Sequence, residues 1–418
     1  MTRPETSVSR RILMNLNGLQ KLEGKDIRAS RFRDSLSESG VRAIFHPVSA
    51  IDANLAAAWG ELANQASEPN IFYEHWFLNP ALAQFDHHPD LQLFLLWAGQ
   101  PGQSQLLGLL PLGPDNRFGR WPVPHVENWL HHNCFLGTPL VRKGFETVFW
   151  DHLLAALDEG DWPGFLHING MTIGGQLDRA LRALCSDQHR RCDLVHSEAR
   201  ALLQSDLGSE DYLNATVRGK KRKELRRQAK RLSELGEVTF CHLEDATGLE
   251  PWIDEFLQLE RSGWKGHNGS ALDSSGQTRA FFREALLGAA RAGQLERHDI
   301  RLEGSPLVML VNFHSGRGSF SFKTAFNEAF ARFSPGVLLQ LENLKILENP
   351  AIDWMDSCAS ENHPMIDSLW SDRRHIGRFS IELKGVSRRA IFRGLRLGED
   401  LMGKIKGRTI FDPTEVQQ

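Results

Sequence analysis

A short stretch in the second half of the chain combines an acid, an indole and a cation. Residues 259–265 read LERSGWK and run into a Gly-rich turn. If Glu260 is buried, its pKa is raised and it can act as a general base toward an attacking amine or hydroxyl. Trp264 and Lys265 would then shape a pocket for that acceptor. The alternative is a surface ion pair between Glu260 and Arg261 or Lys265.

A lysine within a strand-like segment is the second candidate. Lys323 follows the alternating residues SFSF, so aromatic side chains flank it. An ammonium group there can hold an anionic group, or the acyl oxygen on which charge develops during a transfer. The alternative is a buried ion pair with Asp356. Asp356 is also a catalytic candidate, and His314 a substrate-binding one, because both lie near predicted strand ends, where loops build sites.

The triplet Ser334-Pro335-Gly336 lies between a predicted strand and the helical pattern VLLQLENLKIL. The first N–H groups of a helix are unpaired and its start is electropositive, so this junction suits a pyrophosphate. Contacts would come from the Ser334 hydroxyl, from the backbone N–H groups of Gly336 and Val337, and from the Arg332 guanidinium. The alternative is ordinary helix punctuation, with Ser334 as N-cap and Pro335 as the first helical residue.

Residues 214–235 predict a helix with a cationic surface. Between Arg218 and Arg231 lie seven lysines and arginines and a single acid, Glu224. Leu225, Ala229 and Leu232 are spaced four and three apart, so one side of the helix is apolar and packs. The charged side could hold phosphates of a donor, an anionic glycan or RNA, although no aromatic residues for base stacking interleave with it. The alternative is a solvated helix face.

The order of predicted elements repeats along the chain. Each half gives a strand, a helix, a strand meander, a Gly-Pro element, a helix and a strand. We therefore predict an α/β (α+β) protein made of two similar domains. The predicted boundaries are a flexible N-terminal arm at 1–40, a first domain at 41–204, a second domain at 205–385 and a basic C-terminal tail at 386–418.

Composition is that of an ordinary globular protein. Of the 418 residues, 41% are apolar and 24% charged. No run of about 18 apolar residues exists, so we predict no membrane span, and the N-terminus is too polar for a secretion signal. The cysteines are odd in number and form no C-x-x-C, which indicates reduced thiols in a cytoplasmic protein and no metal site. The net charge of −3 gives no global attraction to nucleic acid.

Taken together, these stretches resemble the GNAT-type acyltransferases of the CelD group, found with cellulose and exopolysaccharide biosynthesis genes. The resemblance implies two GNAT-like domains in tandem, each a mixed, mostly antiparallel sheet flanked by helices, with acyl-CoA between splayed fourth and fifth strands. It also implies that the donor pyrophosphate binds at Arg332 to Val337. The resembling stretches are RGKKRKELRRQAKRLSELGEVTF (218–240), LERSGWKGHNGSAL (259–272), FKTAFNEAFARFSPGVLLQLENL (322–344), residues 353–381, NIFYEHWF (70–77) and LGTPLV (136–141).

The function that this resemblance implies is transfer of an acyl group, in the simplest case acetyl, from acyl-CoA to an amine or hydroxyl. The acceptor would be a small molecule or glycan-related, acyl-CoA would be a co-substrate, and no cofactor would be bound permanently. The phosphate loop departs from the usual family signal, Arg or Gln followed by Gly-x-Gly or Gly-x-Ala. Only Arg332 and Gly336 remain, and Pro335 removes a backbone donor.

Two alternatives stay open at this point. Fem-type transferases share the doubled fold but take aminoacyl-tRNA as donor. The basic helix and the altered loop favour tRNA, whereas the negative net charge and the missing stacking aromatics disfavour it. The other alternative is a non-catalytic GNAT-fold protein in polysaccharide synthesis. The pattern of residues does not predict an oligomeric state.

Overall fold

A computed structural model describes residues 12–13, 40–99 and 104–405. The described strands form one 14-stranded sheet, antiparallel except for two short parallel pairings. The predicted N-terminal arm and the end of the predicted C-terminal tail lie almost entirely outside the described residues. The strands are β1 (Ile12–Leu13), β2 (Val41–Pro47), β3 (Gln92–Ala98), β4 (Gln105–Asp115), β5 (His125–Asn128), β6 (Leu140–Val141), β7 (Leu166–Thr172), β8 (Cys192–Leu203), β9 (Val238–Leu243), β10 (Leu295–Leu302), β11 (Ser305–Ser315), β12 (Gly318–Phe326), β13 (Trp354–Asp356) and β14 (Asp372–Ile381).

Helices cover both faces of this sheet. The mean hydropathy of the chain is ordinary, and none of the described helices combines the length and apolar character needed to span a membrane. The helices are α1 (Ala53–Asn64), α2 (His75–Gln84), α3 (Glu146–Glu159), α4 (Gln176–Asp187), α5 (Ser209–Thr216), α6 (Gly219–Ser233), α7 (Leu249–Ser262), α8 (Trp264–His267), α9 (Gly276–Arg291), α10 (Pro335–Asn343) and α11 (Val386–Ile405).

The two halves of the sheet each include a strand from the other half. The strand order is β1-β2-β3-β4-β5-β7-β14-β8-β13-β12-β11-β10-β9, and β6 pairs with β4. Strand β14, from the end of the chain, pairs with β7, while β8, from the first half, pairs with β13. A long β8–β14 pairing joins the halves. The predicted tandem of mixed, mostly antiparallel units is confirmed, with the difference that they form one continuous sheet.

The predicted strands and helices around the candidate residues are present. The stretch 318–326 is β12, the segment opened by Pro335 is α10, and the basic stretch is α6, in which only Leu225 and Leu232 are buried. Local sequence explains several helix starts: the Ser275 hydroxyl, for example, accepts a hydrogen bond from the Thr278 N–H at 3.1 Å and caps α9. From residue 386 the basic C-terminal segment is helical, and Phe392 of α11 packs on Phe165.

The second half of the sheet has a different layer on each face. Val311 and Phe313 of β11 lie in the core beneath α7 and α9, whereas Leu310 packs with Leu338 and Leu339 of α10. We call these the α7 face and the α10 face. Because side chains alternate along a strand, the two faces carry separate sets of polar residues.

Strands β12 and β13 diverge soon after they meet. They pair in parallel from Gly318↔Trp354 to Phe320↔Asp356, after which β12 continues to Phe326. No other described strand pairs with that edge of β12. On its other edge β12 has a bulge at Phe322, which leaves Lys323 opposite Val311 and so on the α7 face. We call the space beyond Phe320 the β12–β13 opening.

Candidate functional site

Lys323 lies at the β12–β13 opening with aromatic rings on two sides. Its Nζ is 5.2 Å from the ring centroid of Phe135 and 5.4 Å from that of Phe322. Burial, and to a smaller extent repulsion by Lys265, lowers the pKa of Lys323 to about 8. No acid among the described residues forms an ion pair with this ammonium group within 4.0 Å. Lys323 is therefore a cation in apolar surroundings, available to a ligand.

Asp356 is held by two arginines, not by Lys323. Its Oδ2 accepts hydrogen bonds from Arg200 Nη2 at 2.7 Å and from Arg374 Nη1 at 2.6 Å, and its Oδ1 accepts the Cys358 N–H at 2.9 Å. Although burial raises the pKa of Asp356, the two guanidinium groups hold it below its ordinary value. The alternative of a Lys323–Asp356 ion pair is wrong. Because this carboxylate is fully buried and is held by two guanidinium groups, it is poorly placed to take a proton from a substrate.

Glu260 is buried, as a general base would be, and it also forms the ion pair with Lys265 that was the alternative. Both features are present in the same residue. Its Oε1 accepts from Lys265 Nζ at 2.8 Å, and its Oε2 accepts from the Leu272 N–H at 2.7 Å. These bonds fix both ends of the loop that follows α7. Glu260 and Lys265 both act electrostatically on Lys323, which places the three charges around one region.

Trp264 connects this loop to the turn before α10. Its side chain is 54% exposed, as an acceptor-contacting indole would be, while its backbone N–H donates to Glu328 Oε1 at 2.7 Å. Glu328 begins the 3-10 turn Glu328–Phe333, which leads directly to Ser334. The predicted acceptor loop and the predicted phosphate loop are therefore neighbours.

The start of α10 differs from a simple cap. Ser334 has left-handed backbone angles, φ 52° and ψ 49°, and its side chain makes no capping hydrogen bond, so the predicted N-cap bond is wrong. The Val337 N–H already donates to the Ser334 carbonyl at 2.9 Å and is not free for a phosphate. The Ser334 hydroxyl has no partner among the described residues, and the exposed Arg332 guanidinium lies 4.7 Å from the Phe333 ring centroid.

Gly336 has a packing reason to be glycine. A Cβ built there would lie 3.1 Å from Met365 Sδ. The segment after β13 therefore comes close to the first turn of α10, whatever else binds there. Close approach of a phosphate is not needed to explain this residue.

His314 lies apart from the other candidates. It is on the α10 face of β11, two residues from Asn312, and its Nε2 is 3.7 Å from Glu296 Oε2. Lys323 is on the α7 face. The structure therefore brings together Lys323, Glu260 and Lys265 and places the phosphate loop beside them, but it does not bring His314 to the same place.

Other residues of this region were not predicted as site residues. Phe135, from the first half of the chain, contacts Lys323, and Arg200 Nη1 donates to the Phe135 carbonyl at 2.6 Å. Half-buried His131 nearby has its pKa lowered to about 3 because its ring is desolvated, so it is neutral. The only sequence feature that could have indicated Phe135 is the stretch LGTPLV, which follows it directly. This stretch contains no charged residue and no catalytic residue type, so it did not single out Phe135.

Helix α6 packs against the turn Glu328–Phe333. Its exposed face carries most of the predicted cations, which places positive charge next to the phosphate loop. The exposed members are Arg218, Lys220, Lys223, Arg226, Arg227, Lys230 and Arg231.

Residues 219–363 match the family model of the acetyltransferase (GNAT) domain. Every candidate residue named above from the second half, from Glu260 to Asp356, lies inside this range. No curated protein sequence matches the chain. Strands β12 and β13 also lie inside this range.

Solved structures are similar over most of the chain, at identities that speak for the fold alone. FemX is 11% identical with a TM-score of 0.52, covering 78% of this chain and 95% of that chain. A conserved protein of unknown function from Bacteroides thetaiotaomicron is 12% identical with a TM-score of 0.50, covering 81% and 99%. A tandem GNAT protein from the clavulanic acid biosynthesis pathway is 14% identical with a TM-score of 0.39, covering 82% and 98%.

Proposed function

We propose that the protein transfers an acyl group, in the simplest case acetyl, from acyl-CoA to an amine or hydroxyl of a small-molecule or glycan-related acceptor. The observation that carries this proposal is the Lys323 ammonium at the β12–β13 opening, which no acid among the described residues pairs with. The match of residues 219–363 to the GNAT domain supports the same reaction class. The resemblance to the CelD group supports a glycan-related acceptor.

In this proposal Lys323 stabilises the charge that develops on the acyl oxygen. The acceptor amine attacks the thioester carbonyl, the carbon–sulfur bond breaks, and CoA leaves as the thiolate, which takes up a proton. A half-buried, partly desolvated ammonium stabilises such an oxyanion more than one in water does. Aligning amine and thioester supplies much of the remaining rate, so no covalent enzyme intermediate is required.

Glu260 is the candidate for removing the proton of the acceptor, directly or through a water molecule. Its Oε1 is paired with Lys265 Nζ at 2.8 Å, so Lys265 also controls access to this carboxylate. Trp264, exposed beside the same loop, offers an apolar surface to the acceptor. At the other end of the donor, the Ser334 hydroxyl, the Gly336 N–H and the Arg332 guanidinium are the proposed pyrophosphate contacts.

Thermal unfolding with acetyl-CoA, longer acyl-CoAs and free CoA tests this proposal. A ligand at 100 times its Kd stabilises the native state by about 2.7 kcal/mol. Ser334→Ala should weaken all CoA-containing ligands alike without lowering the stability of the free protein, because its hydroxyl has no capping role. No stabilisation by any of these ligands at millimolar concentration would count decisively against a CoA donor.

A second candidate function is transfer of an amino acid from aminoacyl-tRNA. The exposed cations of α6, beside the turn before α10, favour it. Filter binding of charged tRNA across a salt series separates the two donors, because phosphate contacts release counterions and affinity must fall as salt rises. A third candidate is a non-catalytic role. Detection of acyl transfer that a single substitution at Lys323 abolishes would exclude it.

A further inference from the structure

Three histidines surround one buried carboxylate on the α10 face of the sheet. Glu296 of β10 is 4% exposed. Its Oε1 is 3.0 Å from Nε2 of His242, and its Oε2 is 3.3 Å from Nε2 of His298 and 3.7 Å from Nε2 of His314. Asn312 Nδ2 donates to Oε2 at 2.7 Å and fixes the carboxylate from the side of β11.

The charge of this carboxylate is not matched by a lysine or arginine. Among the described residues, the only cationic partners of Glu296 within 4.0 Å are these imidazoles. A buried anion of this kind needs either a protonated imidazole or a metal ion as its counter-charge.

The strand register brings two of the histidines into position. His298 lies opposite His242 on β9, and their rings stack at 4.5 Å with an angle of 3° between planes. His298 is buried, and its Nε2 makes no hydrogen bond although it lies close to Glu296. One ligand atom from each of His242, Glu296 and His298 lies within 4.8 Å of the others. In a tetrahedral site with bonds of about 2.0–2.1 Å, ligand atoms are about 3.3 Å apart, so small rotations suffice.

We propose that His242, Glu296 and His298 bind a divalent transition-metal ion such as Zn²⁺. Two imidazoles and one carboxylate suit Zn²⁺, Co²⁺ or Ni²⁺, whereas Mg²⁺ and Ca²⁺ take oxygen ligands. The His242 side chain is half exposed, which gives the ion a route in and leaves a fourth position for water. Asn312 orients the carboxylate as an outer partner.

Such an ion would join the edge strand β9 to β10 and neutralise Glu296. This proposed metal site is on the α10 face and Lys323 is on the α7 face. The metal proposal is therefore independent of the acyl-transfer proposal. We expected no metal site because of the number and spacing of the cysteines. That pattern says nothing about sites whose ligands are histidine and glutamate.

Metal titration of the tag-free, chelator-treated full chain tests this proposal. We expect Zn²⁺ and Co²⁺ to bind one per chain and to raise the melting temperature, and Mg²⁺ at the same concentration to do neither. Bound Co²⁺ should give visible absorption of the intensity typical of a four-coordinate ion. His298→Ala and Glu296→Gln should each lower Co²⁺ affinity at least about 100-fold, since even outer partners contribute about 10–100-fold.

His196→Ala is the matched control, because His196 is an exposed histidine on β8, remote from this cluster. It should bind Co²⁺ like the unmodified protein. Equal affinity of the unmodified protein and Glu296→Gln, or no binding at all, overturns the proposal and assigns the cluster to a proton-neutralised hydrogen-bond network. If a variant fails to fold, the Co²⁺ spectrum and stoichiometry of the unmodified protein still decide.

Discussion

The sheet has two places where parallel strands pair, one in each half. In both, an α-helix lies between the paired strands in the chain, but different groups lie beside the two pairings. In the first half, β5 and β7 pair at Val126↔Leu166 and Glu127↔His167, and α3 lies between them in the chain. In the second half, β12 and β13 pair in parallel with α10 between them. Both pairings are short, with two residue pairs in the first and three in the second. The contents of the space beyond the last residue pair differ between the two pairings.

In the first half a backbone segment closes the space. The Gly137 N–H donates to the Gly170 carbonyl at 2.7 Å, and a Cβ on Gly137 would lie only 2.0 Å from the Asn169 carbonyl oxygen. Buried Asn128 holds the segment: its Nδ2 donates to the Gly137 carbonyl, to the Asn169 carbonyl and to the Tyr73 hydroxyl. The backbone groups named here are bonded to one another or to Asn128, so this segment occupies the space between the diverging strands.

In the second half Lys323 lies at the β12–β13 opening, and no acid among the described residues forms an ion pair with its ammonium group. The chain after β13 continues through Cys358, which has φ 52°. Phe135, which directly precedes the segment that closes the first space, forms one wall of the second. The difference is that a few hydrogen bonds hold a backbone segment in one half of the sheet, whereas in the other half a lysine lies between aromatic rings.

Lys323→Met should have the largest effect on function. It removes the one proposed oxyanion partner while keeping an unbranched side chain between Phe135 and Phe322. We expect acyl transfer at saturating donor to fall about 10²–10³-fold, as for loss of one oxyanion donor, with the fold retained. Steady-state kinetics and circular dichroism are the measurements, and Lys345→Met, at an exposed lysine, is the control. Unchanged activity would show that the opening is not the reaction site.

Asn128→Ala should have the largest effect on stability. It leaves the Tyr73 hydroxyl and the Gly137 and Asn169 backbone groups without their partner, in a buried place. We expect a loss of about 2–4 kcal/mol in the free energy of unfolding, measured by denaturant titration. Asn214→Ala, at an exposed asparagine of α5, should be neutral. A large loss of acyl-donor affinity in the folded Asn128 variant would contradict the separation of the two spaces.

Sequence patterns identified the strands and helices around Lys323 because those elements have clear periodicity. Strands β8 and β14 were not predicted. Both are only partly buried for much of their length, as DRRHIGRFSI illustrates, and their pairing partners lie far away in the chain. The exchange of strands between halves is a long-range property that leaves no local signal.

The candidate site was predictable where residue type alone decides the chemistry. Glu260 and Lys323 have such types, and both lie in the region of the candidate site. The arginine pair on Asp356 and the contact of Phe135 with Lys323 depend on distant segments. The left-handed conformation of Ser334 was equally unpredictable, because serine before proline reads as an ordinary helix start.

The pH dependence of the second-half space should differ from that of the first. The pKa of Lys323, about 8, lies below that of a lysine in an unfolded chain, about 10.5. Between these values the unfolded chain binds a proton that the folded protein does not, so this lysine makes stability rise with pH through that window. Activity that needs the ammonium should fall about tenfold per pH unit above about pH 8.

Both pH effects are measured as differences between the unmodified protein and Lys323→Met, because cysteines and tyrosines also titrate in this range. The variant should lack the rise in stability and the alkaline loss of its residual activity. Identical profiles for the two proteins would mean that Lys323 has an ordinary pKa and is not in the apolar space between Phe135 and Phe322.

Ser334→Gly should give the smallest effect and the most local one. Ser334 has φ 52°, which glycine adopts without strain, and its side chain makes no capping bond. Removing the strain should raise the free energy of unfolding by up to about 1 kcal/mol, partly offset by the greater freedom of the unfolded chain. If Ser334 contacts a donor phosphate, the same variant should bind CoA more weakly while being at least as stable. Isothermal titration with CoA and denaturant titration, with Ser233→Gly at an exposed serine of α6 as control, separate the two effects. If the variant binds CoA as tightly as the unmodified protein, Ser334 does not contact the donor and only shapes the turn before α10. Lys323 would then be the remaining candidate contact for the donor at the β12–β13 opening.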